Sequence, residues 1–129
     1  LRMKGSIKGL QQAQAAANQA AAAVTAGGAL GRAVRHITAR VHRYAVTINP
    51  VDTGSWRASQ RQTIESDGLT GHVFLQPGAT NSRSGVAVSR YAGVWEARRG
   101  RYAVYQRTFE EDGQKALDAG GDIVRGALP

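Results

Sequence analysis

A chain of 129 residues, 42% hydrophobic but only 6% aromatic, suits one domain with a thin core. It has no cysteine, which excludes a disulfide frame, a thiolate nucleophile and any cysteine-based metal site, and fits assembly in a reducing cytoplasm. The formal net charge of +8 favours acidic partners, nucleic acid among them.

No apolar run approaches the roughly 20 residues of a membrane-spanning helix. The opening Leu1-Arg2-Met3-Lys4-Gly5-Ser6 lacks the apolar core of a signal peptide, and Leu1 in place of Met points to a natural start elsewhere. Alanine and glutamine then dominate. Alanine has the best helix propensity, so a helix is expected within 1–26, with a shallow face of Leu10, Ala13, Ala17, Ala20 and Val24. Gly27 and Gly28 end it.

A long basic helix is expected over 29–48. Leu30, Val34, Ile37, Val41 and Ile48 recur at steps of three and four and form its expected core face. Arg32, His36, Arg40 and Arg43 fall on the other side. Pro50 drives Asn49 out of the helical region and stops the helix. Asp52 or Thr53 is placed to cap a short helix over 53–59, with Gly54 freeing the turn. Trp56 is expected to pack that short helix against the long one.

A β-hairpin follows over 60–76, turning at Asp67-Gly68. Residues 77–88 form a loop bearing Arg83, with Val86, Ala87 and Val88 suited to a further short strand. Ser89 is placed to cap a helix over 89–97, where Tyr91 and Trp95 share a core-facing side. Glu96, beside Arg90, Arg98, Arg99 and Arg101, suggests an ion pair. Thr108 with Glu111 spells a capping box for a last helix over 108–127. Gly113, Gly120 and Gly121 each weaken that helix by about 1 kcal/mol relative to Ala, so it needs a packing surface. The fold class is α+β: long N-terminal helices on a small antiparallel sheet, with a C-terminal helix.

Charge is segregated. Up to residue 59 the only acid is Asp52, whereas after Thr108 acids predominate: Glu110, Glu111, Asp112, Asp118 and Asp122. Asp52-Thr53-Gly54 is also the triplet of aspartic proteases, whose paired aspartates activate water. Those enzymes set it in an all-β frame. Here a basic helix and Pro50 precede it, so it reads as a helix cap and a turn. His36 and His42, about 240° apart on a helix, cannot chelate one ion. No Gly-Lys-Ser/Thr phosphate loop occurs. No catalytic, cofactor-binding or metal residue is expected.

Pro50, Asp52, Thr53, Gly54 and Ser59 stand at the spacing Pro-x-Asp-Thr-Gly-x-Leu-x-x-Ser, with Trp56 in place of the Leu. Tyr91, Ala92 and Glu96 give Tyr-Ala-x-x-x-Glu. With a long basic helix before them and strands between, these motifs resemble the neck or tail-completion family of long-tailed bacteriophages. The glycine that often follows the family glutamate is displaced, because Ala97, Arg98 and Arg99 come before Gly100. The resemblance implies a structural protein of the virion that acts by assembly, not catalysis. It implies one subunit of a closed ring at the head–tail joint, six-fold, assembled in the bacterial cytoplasm. Other neck and tail proteins are the implied partners. Genomic DNA would pass nearby without sequence-specific contact, and no membrane is involved. Arg83, Arg98, Arg99 and Arg101 are the candidate interface. The competing expectation is a cytosolic basic protein that binds nucleic acid without sequence preference.

Overall fold

The computed structural model describes residues 3–129, so Leu1 and Arg2 of the helix expected over 1–26 lie outside the described residues. The fold is α+β. Helix α1 spans Met3–Ala23 and α2 spans Ala29–Ile48. Gly31 lies against the Ala26 carbonyl, where a Cβ has no room, so the chain turns tightly from α1 into α2. Asn49, at ψ 127, leaves the helix as the residue before Pro50 must.

The short helix α3, Ser55–Ala58, leads into strands β1, Gln60–Ile64, and β2, Gly71–Leu75. They pair antiparallel, with Gln60 opposite Leu75 and Ile64 opposite Gly71. At the turn Gly68 takes φ 71, and the Leu69 amide donates to Asp67 Oδ1 at 2.9 Å. Gly71 lets β2 lie directly on α2, for a Cβ there would strike Thr38. The expected strand at 86–88 is only an isolated bridge between Thr80 and Ala87.

Helix α4 spans Val88–Arg98. Ala87 occupies its N-cap position and no side chain caps it, so Ser89 lies inside the helix and is not its cap. The last helix is also corrected. It starts at α5, Val104–Thr108, passes through a π-helical turn, Phe109–Gly113, and continues as α6, Gln114–Ala127. Thr108 is therefore no cap. It is buried within the helix and its hydroxyl donates to the Val104 carbonyl at 2.8 Å. Glu111, the other half of the expected capping box, pairs with Arg107 at 3.0 Å.

Helix α6 runs antiparallel along α2: Asp112 meets Arg40, and Gly120 meets Ile37 and Ala33. A Cβ on Gly120 would run into Ile37, so this glycine serves close approach. The buried residues of α2 are Ala29, Gly31, Ala33, Thr38 and Ala45. The larger Leu30, Val34, Ile37, Val41 and Ile48 are only half-buried, which corrects the expected core face. The helix is covered on two sides, by α6 and by the sheet, and small residues let both come near. Arg40 is not a solvent-side residue either: it holds the buried Asp112 carboxylate through two hydrogen bonds of 2.8 Å.

The main core gathers Ala45, Trp56, Val88, Ala92 and Val104, with Ile48 and Leu75 packed against them. Much of α1 contributes nothing to it: residues 9–15 are exposed on every side. Among the described residues no helix is long and apolar enough to cross a membrane.

Candidate functional site

Each residue of the first motif has a structural task. Gly54 takes φ 84, a left-handed conformation that glycine adopts without strain, and it occupies the N-cap position of α3. Thr53 Oγ1 accepts the Ser55 amide at 3.3 Å. Asp52 caps nothing; it pairs with Arg83 at 3.2 Å, both side chains largely exposed. Trp56 is 8% exposed and packs in the core beside Ala45 and Ile48. Arg57 reaches back to α2, donating to the carbonyls of Val46 at 2.9 Å and Thr47 at 3.2 Å. Both carbonyls belong to the last turn, where a cation suits the helix dipole, and that of Val46 also accepts the Asn49 amide at 3.3 Å. Ser59 is buried and donates to the Trp56 carbonyl at 2.7 Å.

The second motif meets the first. The Tyr91 ring stands edge-on to Trp56, centroids 5.8 Å apart, and Ala92 is 4% exposed in the core. Glu96 forms no ion pair with its arginine neighbours, contrary to the sequence expectation. Its carboxylate accepts the backbone amides of Tyr105 at 2.6 Å and Gln106 at 3.4 Å. These are open donors in the first turn of α5, whose N-cap residue, Ala103, has no side chain to serve them. One helix thus caps another, and the charge also suits the positive end of the dipole.

A buried polar chain lies behind this junction. The Tyr105 hydroxyl donates to Gln60 Oε1 at 2.6 Å, and Gln60 Nε2 donates to Asn49 Oδ1 at 3.0 Å. Gln60 and Asn49 are each 3% exposed. Burial, reinforced by the nearby Glu96 charge and opposed by the Gln60 hydrogen bond, pushes the Tyr105 phenol up to about 12. Sequence reasoning missed this chain because each member reads as an ordinary surface amide or core aromatic.

Between the two motifs lies an open cavity of about 550 Å³. Its walls include Pro50, Gly54, Trp56, Tyr91, Trp95 and Tyr102. Trp95 and Tyr102 form an edge-on pair at 4.9 Å. Arg98 lies over Trp95 at 5.4 Å and Arg101 over Tyr102 at 5.1 Å. The Tyr91 hydroxyl is shielded from solvent and has no hydrogen-bond partner among the described residues. A second groove of about 700 Å³ lies between α2, β2 and the π turn, beside Phe109 and Leu117, which are 76% and 58% exposed.

The cavity presents aromatic walls with two arginines over its rings. Asp52 faces Arg83, and both side chains are largely exposed. His72 bridges to Glu65 at 2.7 Å across the hairpin. No group of three or more His, Cys, Asp or Glu among the described residues could hold a metal. The structure brings Arg98 and Arg101 to the cavity through Trp95 and Tyr102, and Arg83 to its mouth through Asp52. Comparison with protein-family models, with curated proteins and with solved structures returned no match to this chain.

Proposed function

We propose that this chain is a ring-forming structural subunit of a phage head–tail joint, a neck or tail-completion protein that works by assembly. The observation that carries the reading is the meeting of its two motifs. Pro50 and Gly54 set the turn, Trp56 meets Tyr91, and Glu96 caps the helix over 104–127. Each spacing has a mechanical reason, and none supplies a nucleophile or an acid–base pair. The motifs therefore hold a shape, as the resemblance implies.

Unsatisfied surface supports the same reading. Leu10, Val24, Phe109 and Leu117 are large apolar side chains left exposed, in numbers that suit a subunit covered by neighbours. Arg98, Arg99 and Arg101 have no carboxylate partner within ion-pair distance among the described residues, so the candidate interface is electrostatically open. The test is reversal of Arg98 and Arg99 to Glu in infecting phage. Separate heads and tails are expected, with the purified variant still folded. Normal particle yields would overturn electrostatic docking at this turn.

A further inference from the structure

We infer that copies of this chain join through two helical stripes of opposite charge: Arg90, Val94 and Arg98 on α4 of one copy, and Glu110, Gln114 and Asp118 on the last helix of the next. This deepens the assembly reading and rests on it only for closure of the row of copies into a ring.

The basic stripe is exposed along its length. Arg90, Val94 and Arg98 stand at successive intervals of four, so they line one side of α4. Neither arginine has a carboxylate within ion-pair distance among the described residues. Glu96, in the same helix, is spent on the Tyr105 and Gln106 amides. Val94, between the two arginines, is apolar and 45% exposed.

The acidic stripe repeats that spacing. Gln106 donates to Glu110 at 3.0 Å and Gln114 donates to Asp118 at 2.9 Å, so these side chains stand one above another. The amides orient both carboxylates and neutralise neither. Among the described residues no base, Lys115 included, reaches either carboxylate within ion-pair distance. Phe109 and Leu117 flank the stripe and are left largely exposed.

Charge complementarity at matched spacing points to a second copy as the occupant. The two arginines are eight residues apart and so are the two acids, roughly 12 Å along a helix in each case. Val94 on one stripe, and Phe109 and Leu117 beside the other, add apolar area that the same contact covers. Both halves of the match lie within one sequence, which favours a second copy over an unrelated protein. Nucleic acid would meet the arginines alone and leave the acids and the apolar side chains uncovered. The two stripes differ, so the contact is heterologous, and each added copy presents a fresh stripe to the next.

Sedimentation velocity on the full chain tests this pairing. The wild type should associate with rising concentration at low salt and dissociate at about 1 M salt, where the Debye length is about 3 Å. Arg90→Gln with Arg98→Gln, and separately Glu110→Gln with Asp118→Asn, should each weaken association at least about tenfold, with the melting temperature unchanged. Each variant keeps one intact stripe. Mixed together, the two should form one-to-one complexes and nothing larger. A wild type that stays monomeric at low salt overturns the pairing, and so does association indifferent to either pair of substitutions. Two deficient variants that fail to complement each other overturn it as well. None of these measurements involves a virion. A monomeric wild type leaves the particle test of the joint untouched, and a failed particle test leaves the pairing in solution standing.

Discussion

Glu96 tests the packing logic most directly, because a single carboxylate connects α4 to the start of the helix over 104–127. Replacing it with Ala leaves the Tyr105 and Gln106 amides without their acceptor. Loss of an N-cap costs about 1 kcal/mol. Removing a charge from the positive end of the helix adds about 0.5 kcal/mol. The short 2.6 Å contact to Tyr105 is charge-assisted and stronger than a neutral bond. The sum is about 2–3 kcal/mol, which in a domain of this size lowers the melting temperature by roughly 6–15 °C. Glu96→Gln keeps an oxygen in reach and should lose only about 1 kcal/mol. Urea denaturation of the three proteins gives the ranking, and hydrogen exchange at the Tyr105 and Gln106 amides localises it. If both variants stay within about 0.5 kcal/mol of the wild type, or if those amides keep their protection, the cap contributes nothing and the reasoning fails.

Gly54→Val forces a β-branched residue to φ 84, where a Cβ meets no neighbour, so the expected loss of about 1–3 kcal/mol is purely backbone strain; an unchanged melting temperature contradicts it. Gln60→Leu strands the Tyr105 hydroxyl and the Asn49 side chain together and should destabilise by about 2–4 kcal/mol; thermal denaturation beside Tyr105→Phe checks the coupling. The Arg40 guanidinium, mainly through its hydrogen bonds, holds the Asp112 carboxyl below the usual carboxylate range. The unfolded chain then takes up that proton first. The pair's stabilisation is complete above about pH 4 and fades as pH falls through the lower native value. Urea midpoints followed down to about pH 2 should fall less steeply for Asp112→Asn than for the wild type. Arg99→Gly should raise the melting temperature, since it relieves a left-handed conformation; a lower value would show that the guanidinium is needed by the isolated fold.

The long helix, the hairpin and the α+β class are legible because they depend on local rules: apolar spacing, Pro50 as a stop, Asp67-Gly68 as a turn. What the sequence hides are the long-range pairings. Glu96 sits among arginines, so proximity along the chain suggests an ion pair, while the fold brings a helix end nearer. Thr108 and Glu111 spell a capping box, but a capping pattern cannot reveal that the helix has already begun at Val104. The core side of α2 is misread for a related reason. Hydrophobicity singles out Leu30, Val34 and Ile37, yet the closest contacts are made by Gly31, Ala33 and Ala45, which are buried because they are small. The candidate interface is half legible. A cluster of arginines is visible in one dimension, but the cavity it borders requires residues 50 and 102 to be neighbours.

The π turn at Phe109–Gly113 sets the phase of everything after it. Thr108, Asp112, Ala116 and Gly120 are all buried, at successive intervals of four. On a straight α-helix each such interval drifts by about 40°, so the fourth member would stand roughly 120° from the first. The wider turn absorbs one surplus residue and pulls the stripe back into line. Winding the same residues as a regular α-helix would turn α6 about its own axis by roughly 100°, swinging Gly120 away from Ile37. Deleting one residue within 109–113 would instead remove the π turn and leave Gly120 facing α2. The surplus residue is therefore an indexing device: it lets one continuous rod present its cap, its ion pair and its close-packed glycine in the same direction.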